Sequence, residues 1–196
     1  PQVAQPVGTQ QLVQLALGCT GPNTDHPNPE SCKDVRYNAI ASTGEHPADG
    51  TYTVYGLGEL QSPWQVYCDG MSGTPTDYLT VDPTRNVGTL KIGDEIILET
   101  RYERLRIDPS SFELDLTDAR FATSTGTRHN LPPEWVHLPA GFAHYDATSL
   151  GGGVHAAAAL DLTGTQFRFP QVPAADAAFC LSPPGDEISV PLFLVR

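Results

Sequence analysis

This chain is short of cations, of methionine and of long apolar runs, and it has no pair of cysteines two residues apart. Eleven Lys and Arg stand against 23 Asp and Glu in 196 residues, a formal charge of −12. That balance excludes nucleic-acid binding, because a phosphate backbone demands clustered Lys and Arg, and it argues equally against anionic membrane surfaces. No stretch approaches the roughly eighteen apolar residues of a membrane span, so no membrane insertion is expected. The chain begins at Pro1 without a basic leader and is read as a mature or trimmed product. His-Glu-x-x-His is absent, so this chain alone is not a zincin. There is no Gly-x-Ser-x-Gly elbow and no phosphate-cradling Gly-x-x-x-x-Gly-Lys, and Gly151-Gly152-Gly153 lacks the strand and helix context of a dinucleotide fingerprint. Without Cys-x-x-Cys, zinc-knuckle and thioredoxin-like readings are also poor.

The cysteines that are present, Cys19, Cys32, Cys68 and Cys180, are even in number and allow three pairings. With a single Met and only Lys33 and Lys91 as lysines, they favour a secreted, oxidising setting over the cytosol. The acidic residues are dispersed, which suits solubility. The length suits one domain with a real core. Residues 1–30 differ in character and are read as an extension packed on a domain of residues 31–196. In that extension Gln11 to Leu17 alternates as a strand would, although a short helix fits too, and Gly21 to Pro29 holds too many breakers for regular structure.

Ser31 followed by Asp34 makes a capping-box-like start, with Val35, Tyr37 and Ile40 at near-helical spacing before Gly44. One helix of about three turns is expected there. From Gly50 the pattern changes to period two, in runs Tyr52 to Tyr55, Trp64 to Tyr67, Tyr78 to Val81, Ile96 to Ile107, Phe112 to Phe121, Val154 to Phe169 and Ile188 to Val195. Gly, Pro and Asp separate them, which predicts a mainly β (β-rich α+β), antiparallel, sandwich-like single domain. In the run Ile96 to Ile107 neither face is cleanly apolar; Arg101, Arg104 and Arg106 sit among Glu99 and Glu103, so ion pairs account for them ahead of an anion-binding role. Leu114-Asp115-Leu116-Thr117 and Leu160-Asp161-Leu162-Thr163 echo each other, each with a Phe four residues beyond its Thr. Internal duplication and convergence on one turn chemistry both fit.

The patch from Ser31-Cys32 through Asp49-Gly50-Thr51-Tyr52 to Tyr67-Cys68-Asp69-Gly70-Met71 and Tyr78-Leu79-Thr80-Val81 resembles the start of the GON domain. That family is the C-terminal module of some secreted ADAMTS metalloproteases and also occurs in bacterial extracellular proteins. Arg106 to Pro109 and Asp161 to Phe167 resemble later segments of it, so the matches run from about Cys32 to Phe169. The resemblance implies a disulfide between Cys32 and Cys68, and with it one between Cys19 and Cys180. It also implies a secreted, non-catalytic accessory module that binds protein or carbohydrate. Vertebrate members are richer in cysteine, and none follows shortly after Leu138 to Tyr145 here, which points to a bacterial relative.

No cofactor is expected. The candidate metal set is His137, His144 and His155 with Asp146, for zinc, although their spacing matches no short zinc pattern. For calcium the oxygen-rich candidates are Asp82 to Asn86, Asp69, and Asp115 with Asp118; Asx turns explain the same residues without an ion. The rival reading is a small secreted hydrolase that uses the pair Asp115 and Asp161, as glycosidases use two carboxylates, or the histidine group. For binding, Trp135, Tyr145, Arg85 and Asn86 are the candidates, on loops Pro83 to Asn86 and Leu131 to Trp135. Trp64 is expected in the core.

Overall fold

A computed structural model describes residues 28–56, 63–127, 136–138, 140, 154–168, 189–191 and 193–194. Residues 1–27 of the extension, with the run Gln11 to Leu17 and Cys19, lie outside the described residues, as does Cys180. Among the described residues one helix, α1 (Cys32–Thr43), precedes twelve strands: β1 (Gly50–Tyr55), β2 (Pro63–Asp69), β3 (Thr76–Thr80), β4 (Val87–Ile92), β5 (Glu95–Tyr102), β6 (Arg104–Asp108), β7 (Glu113–Asp115), β8 (Ala122–Thr125), β9 (Val154–Ala159), β10 (Phe167–Arg168), β11 (Ser189–Pro191) and β12 (Phe193–Leu194). They form a six-stranded sheet in the order β1-β2-β3-β6-β7-β11, a four-stranded sheet β8-β5-β4-β9 and a ribbon β10-β12. Every pairing is antiparallel. The fold is the β-rich, antiparallel one that the period-two runs predict.

The helix forms where its start and stop signals stand. Ser31 is the extended N-cap and its Oγ accepts the Asp34 N–H, while the Asp34 carboxylate takes the Ser31 hydroxyl and the Glu30 N–H. Gly44 ends it in the left-handed region, its N–H on the Ile40 carbonyl at 2.8 Å. Val35 packs against the core, whereas Tyr37 is exposed. The helix is held to the six-stranded sheet at its first residue: Cys32 is disulfide-bonded to Cys68 and both are fully buried.

The core lies on the inner face of that sheet. Val54, Trp64, Val66, Cys68, Leu79, Leu105, Ile107 and Leu114 meet Met71, Tyr102, Leu162 and Phe167 there. Trp64 is buried as expected, with Phe112 and Phe167 edge-on to it at 6.2 and 5.0 Å. Phe112 adopts φ 57°, an uncommon conformation for a bulky residue. Its packing against Trp64 and Phe167, and a 2.7 Å bond from its N–H to the Asp108 carbonyl, hold it there.

Several runs divide in ways the periodicity did not announce. Ile96 to Ile107 is two strands in two sheets: β5 buries Leu98, Thr100 and Tyr102, β6 buries Leu105 and Ile107, and the phase inverts at exposed Glu103. This is why neither face of the run looked apolar. Glu103 is stitched across the transition by its N–H to Phe121 O and its carbonyl from Val81 N, both at 3.0 Å. Strands β4 and β8 were not among the expected runs. The β4–β5 pairing carries a bulge: Leu90 faces Leu98 and Lys91 faces Ile96, so Ile97 has no opposite residue on β4. At the same place Gly126 has φ 142°, and a Cβ there would collide with the Ile97 carbonyl.

The closed loop spans 36 residues in sequence. Replacing both Cys32 and Cys68 by Ala is expected to cost roughly 3 to 4 kcal/mol on the chain-entropy account. Urea unfolding of the two proteins side by side measures it; a difference below about 1 kcal/mol would show that the anchor lies elsewhere.

Candidate functional site

Alternation along the strands gives the six-stranded sheet an outer face opposite its core. Register pairs Tyr67 with Tyr78, Tyr78 with Arg106 and Arg106 with Asp115 in one row, and Asp69 with Thr76 and Asp108 with Glu113 at the neighbouring level. On this face a groove of about 340 Å³ opens across β3, β6 and β7, lined by Thr74, Thr76, Arg106, Asp108, Glu113 and Asp115 among others. Arg106 Nη1 lies 3.6 Å from Asp115 and 3.7 Å from Asp118. Beside the groove the segment Asp118 to Phe121 crosses the sheet. Tyr78 donates its hydroxyl to Asp118 at 3.1 Å, and burial, then the Asp118 charge, raises the phenol pKa. Phe121 stands edge-on to Tyr67 and Tyr78 at 5.5 and 4.8 Å. Arg104, next above Arg106 on the same face, places its guanidinium carbon 3.7 Å from the Tyr67 ring centre and 4.5 Å from that of Phe121.

On the inner face the same sheet carries a carboxyl. Asp77 faces Cys68 in the register, is 8% exposed, and accepts the Cys32 N–H at 2.8 Å. Burial pushes its pKa up to about 6; the bond from Cys32 opposes that, and the charges of Asp34 and Asp108 add to it. Its inward direction was open to sequence reasoning, since Leu79 and Val81 share its parity, but an acid among apolar residues is normally assigned outward.

The two aspartates proposed as a catalytic pair have separate local roles. Asp115 Oδ1 accepts the Thr117 N–H and hydroxyl at 2.9 and 2.7 Å, and Asp161 Oδ1 accepts the Thr163 N–H at 2.7 Å. Asp115 pairs with Arg106, and Asp161 with Arg85 at 3.4 Å. The same Asp-x-Ser/Thr turn recurs at Asp82 with Thr84 and at Asp108 with Ser110. Those hydrogen bonds hold the carboxyls of Asp82, Asp108 and Asp161 below the usual range. The two echoed segments share this turn chemistry, Asp115 at the end of a strand of one sheet and Asp161 after a strand of the other. Among the calcium candidates Asp69 is also engaged, by Arg120.

Arg101 pairs with Glu99 at 2.8 Å, as the charge pattern suggested. Arg85 is exposed and bonded to its own turn through Asp82 at 3.6 Å. Asn86, expected on a binding loop, is instead buried: its amide donates to the Asp82 and Asp161 carbonyls and accepts the Asp161 N–H. A side chain spent on three backbone groups clamps two loops and presents nothing to a ligand. Trp135 and Tyr145 lie outside the described residues, as do His144 and Asp146, and the side chain of His155 is not described. His137 Nδ1 lies 2.8 Å from Ser124 Oγ, which lies 2.7 Å from Thr100 Oγ1. Thr100 accepts the Leu138 N–H at 3.0 Å, and Tyr102 donates its hydroxyl to the Leu138 carbonyl. Among the described residues no three His, Cys, Asp or Glu side chains converge on a common metal position, and no helix is long and apolar enough to cross a membrane. Neither the Arg104 stack nor the Ser124 contact was foreseen, because both join side chains from distant segments.

No protein-family model, curated protein or solved structure matches the chain.

Two outcomes are expected from this geometry. A carboxyl whose pKa is higher folded than unfolded stabilises the protein fully below its ordinary value of 3.8, and this is lost as pH rises through about 6. Asp77→Asn should therefore raise stability near neutral pH by up to about 3 kcal/mol and flatten the profile across that window. Unfolding free energies over a pH series check it; an unchanged slope would show that Asp77 titrates normally. Asn86→Ala strips partners from buried backbone groups and should cost about 2 to 3 kcal/mol, measured the same way.

Proposed function

We propose that the chain is a secreted, non-catalytic accessory module that binds an extracellular protein or glycan, as the resemblance to the GON domain implies. The observation that carries this is the separation of Asp115 and Asp161. Each closes its own turn and faces a different arginine, so the two carboxylates have separate partners and are not presented as a pair. The outer-face groove offers the alternative to chemistry, with hydroxyls, carboxylates and a guanidinium suited to hydrogen-bonding a polar ligand. The loop Pro83 to Asn86 takes a supporting role, since Asn86 is buried and Arg85 belongs to the turn. Disulfide-linked Cys32 and Cys68 support an oxidising compartment.

The test is a screen of the whole chain against immobilised glycans and extracellular-matrix proteins, repeated with an Arg106→Ala/Glu113→Ala variant. Both side chains are exposed, so thermal stability should change little. Loss of retained ligand by roughly tenfold or more is expected, with no product released from it. Turnover of any bound ligand would replace the module with a hydrolase. The reading calls on no metal: an EDTA-insensitive melt is expected, and stoichiometric zinc or calcium with a chelator-sensitive melt would move the site to the histidines or the acidic turns.

A further inference from the structure

The six-stranded sheet parts between β3 and β6. Pairing of these two strands ends at Tyr78 and Arg106, while β2 and β3 stay paired to Asp69 and Thr76, and β6 and β7 to Asp108 and Glu113. The groove opens at this parting, with Thr76 and Asp77 on one side and Asp108 and Glu113 on the other. Its charges are unbalanced. Asp108 and Glu113 stand directly opposite each other on one face of the sheet, where like charges repel at close range. Asp108 is met by the N–H and hydroxyl of Ser110, which are neutral donors. Exposed Glu113 has no hydrogen bond or ion pair from its side chain among the described residues. Arg106, the basic residue of the lining, is engaged by Asp115 and Asp118. Asp77 adds a carboxyl that is 8% exposed. Its Oδ1 accepts the Cys32 N–H, and its Oδ2 accepts no hydrogen bond among the described residues. The described buried side-chain atoms without a partner are Trp64 Nε1 and Arg104 Nε. Oδ2 is not one of them, so it is open to solvent, and the open space that Asp77 lines is this groove. Burial first, then the charges of Asp34 and Asp108, disfavour the ionised form of Asp77, and a cation in the groove opposes both effects.

From this we infer that the groove receives one cationic side chain, the ammonium of a lysine or the guanidinium of an arginine, from a basic segment of a protein partner. It is held by Asp108 and Glu113, with Asp77 as the third acceptor. A metal ion is the poorer fit. It needs six or more oxygens within about 2.6 Å, and no three acidic side chains converge in that way among the described residues. An ammonium or guanidinium carries several N–H donors that point apart, so separated acceptors satisfy it. The groove volume, about 340 Å³, lies at the small end of ligand clefts and suits a single side chain. A net charge of −12 draws a basic partner towards the chain and repels an acidic one. The inference rests on the binding-module reading and names the chemistry of its partner.

The experiment titrates the nitrogen-15-labelled whole chain by NMR, at constant ionic strength, with blocked peptides that carry one central lysine, arginine or norleucine, and with spermidine. Norleucine keeps the length of lysine without its charge. The backbone amide signals of Thr76, Asp108 and Glu113 should shift saturably with the lysine or arginine peptide and not with the norleucine one. Glu113→Gln, at an exposed position, should weaken that binding roughly fivefold. Asp94→Asn, on the exposed turn between β4 and β5, makes the same change of charge and should leave the binding unchanged. No saturable shift with either cationic peptide overturns the inference. An equal loss in Asp94→Asn also overturns it, since attraction would then be to the net charge and not to the groove. Tighter binding of spermidine than of either peptide overturns the assignment to a protein segment. If proteins or glycans are still retained in the screen, the binding module stands without a cation in its groove. Because the first readout uses the unmutated chain, a misfolded variant does not obscure it.

Discussion

Cys32 is fixed to the sheet twice, through its sulfur to Cys68 on β2 and through its N–H to Asp77 on β3. One residue at the first turn of the only described helix thus ties α1 to two neighbouring strands, and the remainder of the inner face packs around that point. Burying a carboxyl beside a disulfide is unfavourable for the charged form, yet the helix end supplies an N–H that needs an acceptor. Asp77 meets a need the helix creates, at the expense of a raised pKa. Nearby, Asp49 accepts the Met71 N–H at 2.7 Å and Arg36 donates to the Met71 carbonyl at 3.0 Å, so the turn after β2 is held from both sides.

From that inner anchor the two faces of the six-stranded sheet diverge in chemistry. The inner face is apolar apart from Asp77. The outer face sets arginines against aspartates and aromatic rings, with Asp118 to Phe121 laid across it. Exposed ion pairs such as Arg106 with Asp115 contribute little to stability.

Aspartate is put to several distinct uses among the described residues, three of which recur through the fold. Asp82, Asp108, Asp115 and Asp161 each close a turn onto a Ser or Thr two residues on. Asp69, Asp115 and Asp118 face arginines, and Asp77 holds the helix. The first use was legible, because Asp-x-Thr and Asp-Pro-Ser/Thr are local signals whose hydrogen bonds close within three residues. The second was legible as a type of interaction only: Glu99 with Arg101 is nearby in sequence, whereas Arg120 with Asp69 spans the sheet.

The amino-acid sequence determined the helix and its caps, most of the strands, the turn chemistry and the burial of Trp64, because each depends on periodicity or on hydrogen bonds that close locally. It did not determine that Ile96 to Ile107 divides between two sheets, since a single phase inversion at Glu103 looks the same as a run of mixed polarity until the partners are known. Tertiary structure alone decided that Asn86 turns inward to bridge two loops, that Asp77 meets a helix 45 residues away in sequence, and that Arg104 settles against Tyr67 and Phe121. Those outcomes depend on which strands pair and in what register, and register is a property of the folded sheet as a whole.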